Sequence, residues 1–166
     1  MSEITVFTDG AAKSNGKKDA IGSIGIYFEG EPHNSYYELV TSSKFKTKVT
    51  NNLTELYAIQ KAIELANKYY PERKGIHLYT DSKYAYSIFT SWATKWKANG
   101  WVKADKKPIL NLSFIQTIYE YKQNQKIIFY HCNSHRTPPP IKSPEYRVWY
   151  GNDQADKLAN KAIDEQ

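Results

Sequence analysis

The sequence has almost no cysteine and no long apolar run. One cysteine, Cys132, in 166 residues excludes an internal disulfide and most cysteine-based zinc sites. No stretch approaches the roughly 18 apolar residues of a membrane-spanning helix. Low-complexity tracts and internal repeats are missing too. The first residues lead directly into a strand-like segment, so no secretory leader is expected. Together these absences fit a soluble intracellular protein, with the cytoplasm as the expected compartment. Acid is the scarcer charge, 17 Asp and Glu against 23 Lys and Arg, for a net charge of +6. A basic surface of this kind suits polyanions. Hydrophobic residues make up 40% of the chain, enough for one domain around one core, and Tyr is heavily used, with 14 residues.

Two stretches share one grammar. Ile4-Thr5-Val6-Phe7-Thr8-Asp9-Gly10 is β-branched and apolar until it meets an aspartate followed by glycine. Ile76-His77-Leu78-Tyr79-Thr80-Asp81-Ser82 repeats the pattern. Asp-Gly and Asp-Ser are also ordinary turn and cap chemistry, but the repetition favours a site. If the strands are parallel neighbours, Asp9 and Asp81 emerge together at their carboxyl ends, where open α/β sheets hold ligands. Gly10 is expected to turn the chain away sharply, into a loop from Ala11 to Asp19.

Ala20 to Phe28 and Ser35 to Val40 read as two further strands of an antiparallel meander. A helix from about Asn52 to Tyr69 carries Leu56, Ile59, Ile63 and Ala66 at helical spacing, and Thr50, Asn51 or Asn52 can cap it. Ser82 can cap a second helix running to about Thr90. Residues 91–108 interleave Trp92, Trp96 and Trp101 with Lys95, Lys97, Lys103, Lys106 and Lys107. An amphipathic helix is expected from Ile109 to Gln123, a last strand from Ile127 to His131, and a C-terminal helix from Asn152 to about Asp164. The string is an α/β sandwich with a mixed sheet.

Two more acids complete a candidate site. Glu55 is placed in the first turn of the long helix, and Asp156 near the start of the last one, sharing a face with Asn152. Either alone also reads as a solvated helix start. Four converging carboxylates repel one another and raise each other's pKa unless a cation is present. Hard oxygen ligands suit Mg²⁺, and a pair of ions about 4 Å apart can activate water and stabilise a leaving oxygen.

The set Thr8-Asp9-Gly10, Thr50-Asn51-Asn52-x-x-Glu55, Thr80-Asp81-Ser82 and Asn152-x-x-Ala155-Asp156 resembles ribonuclease H type 1, in order and across nearly the whole chain. The resemblance implies one catalytic domain, residues 1–166, with an RNase H-like fold. Its sheet is five-stranded and mixed, in the order 3-2-1-4-5, with helices on both faces. It also implies an endonuclease that hydrolyses the RNA strand of RNA–DNA hybrids with two Mg²⁺ or Mn²⁺ ions, leaving 5′-phosphate and 3′-hydroxyl ends. Asp9, Glu55, Asp81 and Asp156 match the metal-binding carboxylates. His135 matches a mobile-loop histidine that helps product leave or protons move. Asn15, Asn51 and Asn52 match contacts to RNA 2′-hydroxyls. Lys48, Thr50 and Asn111 match a pocket for a DNA phosphate, and Trp92 a packing partner for a DNA sugar. Residues 91–108 resemble a basic handle over the DNA strand. Ser82 to Asn111 holds six Lys and one Asp, so 6 − 1 = +5. The hybrid is the expected partner of a monomer. Without an N-terminal hybrid-binding module, low processivity is expected.

The chain departs from that pattern in three places. Residues 136–151, including Pro138-Pro139-Pro140, stand where relatives have only a few residues, and are expected to form an inserted loop, either a substrate-touching lid or an inert insertion. Lys83 follows Asp81-Ser82 where an uncharged residue is usual. The handle's tip, Trp96 to Trp101, is poor in positive charge. A non-cleaving hybrid binder and a DNA nuclease of the same superfamily are the alternatives. Four intact carboxylates speak against the first, and the Thr-Asn-Asn set against the second.

Overall fold

In this computed structural model, residues 2–13, 20–134 and 136–165 are described. β1 (Ile4–Lys13), β2 (Ile21–Phe28) and β3 (Tyr36–Thr41) form the antiparallel meander. β4 (Ile76–Thr80) lies parallel to β1, and β5 (Ile127–His131) parallel to β4. The sheet order is β3-β2-β1-β4-β5, as expected. The crossover between β1's half of the sheet and β4 is the 19-residue helix α2 (Asn51–Tyr69), after a short α1 (Ser42–Phe45). α5 (Leu112–Asn124) makes the crossover between β4 and β5, and α6 (Tyr146–Asp164) closes the chain.

Strand alternation assigns the two faces. On β1, Val6, Thr8 and Gly10 face α2, while Phe7 and Asp9 face α6; on β2, Gly22 meets Thr54 of α2 and Gly25 meets Ala155, Leu158 and Ala159 of α6. The main core lies between the sheet and α2, where Leu56, Ile59 and Ile63 are fully buried against Ile24, Ile26 and Leu78. Those helix residues are part of the stripe that the 3.6-residue period marks.

Four boundaries differ from the sequence expectation. β1 does not stop at Asp9-Gly10; it runs to Lys13, paired with Ile21. Only the parallel ladder to β4 ends there, at Thr8 opposite Thr80. Gly10 therefore does not turn the chain. α5 starts at Leu112 rather than Ile109, because Asn111 takes a left-handed backbone, φ 59°, at its N-cap. α6 starts at Tyr146, so residues 146–151 of the expected loop are helix. Its first turns lie over the sheet, with Gly151 on the Phe7 ring and Arg147 paired with Glu29 at 2.6 Å and stacked over Tyr79.

The helix after Ser82 also runs further than Thr90. α3 (Lys83–Ser87) continues through a π-helical turn (Ile88–Trp92) into α4 (Ala93–Ala98). The Ser82 hydroxyl caps it by accepting from the Ala85 N–H at 3.1 Å. The widened turn, closed by Ala93 N–H donating to the Ile88 carbonyl, keeps Ile88 and Phe89 buried while Trp92 stays 40% exposed. Trp96 packs on Trp92, and Trp101 sets its ring edge-on to Tyr119 of α5. Trp96 and Trp101 also pack against the core, which ties residues 91–108 to the body as expected of them.

Candidate active site

Asp9, Glu55 and Asp81 each offer a carboxylate oxygen within 4.8 Å of the other two. Register explains the first pairing. The β1–β4 ladder ends at Thr8 and Thr80, so the next residue of each strand is an aspartate leaving the same end of the sheet. Asp9 is 5% exposed, and one of its oxygens accepts from the Gly10 N–H at 2.9 Å.

Two glycines bring the helices in. A Cβ on Gly10 would sit 2.5 Å from the Thr54 carbonyl carbon and 2.6 Å from the Glu55 nitrogen. The α2 backbone therefore rests directly on β1 at the turn that carries Glu55. α2 starts at Asn51, so Glu55 lies one turn in, rather than in the first turn. Gly25, the cross-strand partner of Asp9, does the same for α6: a Cβ there would lie 2.1 Å from the Ala155 carbonyl oxygen. The next residue is Asp156, held near Asp9 from the middle of α6 rather than from its start. Asp156 stands outside the tight cluster of three, at its Asp9 edge.

The electrostatics are those of a site built for positive charge. Burial, then the charges of Asp81 and Asp156, push Asp9 up to about 9. Burial, then Asp9 and Asp81, hold Glu55 well above the usual carboxylate range. One oxygen of Glu55 and one of Asp81 are buried without a hydrogen-bond partner among the described residues. Unpartnered buried carboxylate oxygens are costly. A hard divalent cation answers both the repulsion and the missing partners, and these residues fit one. Cys132, the residue after β5, is buried; burial and then Asp81, Asp9 and Glu55 push its thiol up to about 12, which makes it an inert packing group.

A second feature adjoins the start of α2. Lys48, Thr50, Asn51, Asn52, Trp92 and Asn111 line one cavity of about 550 Å³, together with Tyr84, Trp96 and Lys103. Residues expected to touch RNA and residues expected to touch DNA thus share one concavity. The Thr50 hydroxyl caps α2 by accepting from the Leu53 N–H at 3.1 Å. Asn111 makes no such cap bond for α5, so its side chain is not committed to the helix. Asn15 and His135, also expected at the site, lie outside the described residues. Sequence reasoning missed Gly25 as a site-builder, and Tyr84 and Lys103 as cavity walls. The only signal for Gly25 was a glycine within a strand-like stretch.

Sheet order and acidic pocket together define a mixed α/β class of protein with a carboxylate cluster able to hold a divalent cation. Comparison with known proteins narrows this. Residues 1–164 match the family model described as RNase H. A protein named Ribonuclease H from Clostridium botulinum is 31% identical over 166 residues, covering 99% of this chain and 98% of that one. The crystal structure of LC9-RNase H1, described as a type 1 RNase H with the type 2 active-site motif, aligns with a TM-score of 0.73 at 19% identity, over 99% of this chain and 73% of that one. LC11-RNase H1, solved in complex with an RNA/DNA hybrid, aligns at 0.59 and 20% identity, over 98% and 97%. The chain belongs to the RNase H family and is a ribonuclease H enzyme.

Proposed function

We propose that the enzyme hydrolyses the RNA strand of RNA–DNA hybrids at internal bonds, leaving 5′-phosphate and 3′-hydroxyl ends. The observation that carries this is the meeting of Asp9, Glu55 and Asp81 oxygens within 4.8 Å, with buried oxygens of Glu55 and Asp81 lacking partners. Asp9, Glu55, Asp81 and Asp156 hold two divalent ions, Mg²⁺ with Mn²⁺ able to replace it. When bound, the ions supply an activated water and charge stabilisation at the departing 3′-oxygen. The chain's own residues fix the ligand geometry through β1, β4 and the two glycine contacts. They also keep water from Asp9 and from one oxygen of Glu55, which strengthens the charge interactions there.

Substrate is gripped along the concavity at the start of α2. Asn51 and Asn52, together with Asn15, read 2′-hydroxyls, which separate RNA from DNA. Lys48, Thr50 and Asn111 hold a phosphate of the DNA strand, and the half-exposed Trp92 ring packs on a sugar. His135 is assigned by sequence to moving protons or releasing product. The protein acts as a monomer on a hybrid duplex.

The test is cleavage of matched RNA–DNA, RNA–RNA and DNA–DNA duplexes with Mg²⁺, with Mn²⁺ and with EDTA. Cleavage of the RNA strand in the hybrid alone, abolished by EDTA, is the expected result. Binding without cleavage in either metal would make the protein a hybrid-binding module. Cleavage of DNA–DNA would make it a DNA nuclease.

A further inference from the structure

Residues 42–50 carry the chain from β3 to α2, and Thr47, Lys48 and Thr50 within them form part of the wall of the 550 Å³ cavity. The stretch is polar and basic apart from Phe45 and Val49. Those two are its anchors. Val49 is fully buried over Gly22 of β2. Phe45 sets its ring edge-on to Tyr57 of α2 at 4.9 Å and to Phe114 of α5 at 5.6 Å. Between the anchors runs a bridge of three residues, Lys46, Thr47 and Lys48. Lys46 opens it with a left-handed backbone, φ 55°. A β-carbon makes that conformation costly, and it persists where the surroundings impose it.

What imposes it at the Phe45 end is Glu38 of β3, whose side chain is only 16% exposed. Its Oε1 accepts from the Tyr57 and Tyr36 hydroxyls, each at 2.8 Å, and its Oε2 is paired with the Lys44 ammonium of α1. Lys44 Nζ also donates to the Tyr57 hydroxyl at 3.0 Å and lies over that ring. One shielded carboxylate with three donors thus joins β3, α1 and α2, and charge-assisted bonds of this kind are stronger than neutral ones. Lys48, at the other end of the bridge, is exposed and makes no ion pair among the described residues, so its charge is left for a polyanion.

We propose that Glu38 is a positioning residue for substrate binding. Acting through Lys44 and Tyr57, it seats α1 on α2 and so sets where the bridge presents Lys48 to the cavity. Glu38 does not line the cavity itself. The proposal rests on the reading above that Lys48, Thr50 and Asn111 hold a phosphate of the DNA strand. A bridge fixed in advance loses less freedom when the phosphate arrives, and that saving appears as affinity. It does not reach the chemistry, because the carboxylates are brought together over Gly10 and Gly25, apart from α1.

The experiment is a double-mutant cycle on binding to an RNA–DNA hybrid, read in an Asp81→Asn background so that the duplex stays intact. Lys48→Ala comes first, and should lower the slope of log K against log salt by about one. No binding before the change, or an unmoved slope after it, would overturn the phosphate reading and the role of Glu38 with it. Glu38→Gln leaves an acceptor for the two tyrosines but withdraws the charge that holds Lys44. It should weaken binding about three- to tenfold, the worth of one hydrogen bond. In the active enzyme it should raise KM by a similar factor, with kcat at saturation retained. Lys44→Met, which cuts the same link from the other side, should match it. In the Lys48→Ala background Glu38→Gln should cost less than about twofold, because the group it positions is gone. A loss that persists in full there, or a fall in kcat with KM unmoved, would make Glu38 a prop of the fold at large and overturn the proposal. So would unchanged binding in Glu38→Gln and Lys44→Met where Lys48→Ala does weaken it.

Discussion

Asp9 is a residue at odds with its surroundings, and its consequences can be measured. Burial and the neighbouring acids raise it from 3.8 to about 9 in the folded chain. The folded state thus holds a proton that the unfolded chain releases above pH 3.8. The stability this gives is complete below that value and is lost progressively as pH rises toward about 9. In chelator, the Tm of the wild type should fall between about pH 5 and 9 more steeply than that of Asp9→Asn. Saturating Mg²⁺ should flatten the wild-type curve, because it binds the folded state alone. Equal slopes in chelator would show that Asp9 is ionised without cost. The same substitution should cut kcat by roughly a hundredfold or more, the worth of about 3 kcal/mol of lost charge stabilisation. Stability rising where activity is lost is the signature of a site held together against its own repulsion.

At the scale of elements, the site is an alignment of two helices on one strand pair. α2 reaches it over Gly10 and α6 over Gly25, each with helix backbone where a side chain would otherwise stand. Gly25→Ala should force α6 away from β2, costing about 1–3 kcal/mol, typical of overpacking. It should also lower kcat by carrying Asp156 from Asp9. Thermal unfolding and steady-state kinetics on a hybrid check both, and an unchanged kcat would detach α6 position from the chemistry. The segment 136–151 also belongs here. The sequence marks residues 136–151 as one loop, yet Tyr146 onward is helix because Gly151 admits the Phe7 ring and Arg147 finds Glu29 and Tyr79. None of those partners is near in sequence.

For the whole molecule, charge is unevenly spread. The stretch from Ser82 to Asn111 carries +5 of the net +6, and it projects on the far wall of the 550 Å³ cavity from α2. Binding should therefore fall steeply with salt. Neutralising Lys95, Lys97 and Lys106 to Gln should reduce the log–log slope by roughly 0.9 for each phosphate left without its lysine, with kcat at saturation unchanged. The tip can be strengthened at Ala98. Ala98→Lys should lower KM, whereas Asn99 is committed to the turn through the Val102 and Lys103 carbonyls and should not be replaced. A KM unaffected by Ala98→Lys would place the tip away from the duplex.

The sequence alone marked the strands, the long helix with its capping stretch and the four candidate acids, since each leaves a local trace in alternation, period or motif; the strand order followed from the resemblance to a family. Boundaries at β1, α5 and α6 escaped it. For β1 the continuation depends on pairing with the next strand, Lys13 opposite Ile21, and for α6 on a partner far along the chain, Phe7 for Gly151. Only the tertiary structure decided that Glu55 and Asp156 arrive over Gly10 and Gly25. It also decided that Glu38, Lys44 and Tyr57 meet. Such convergence is set by how closely backbones pack across the sheet, and no pattern within one segment records that distance.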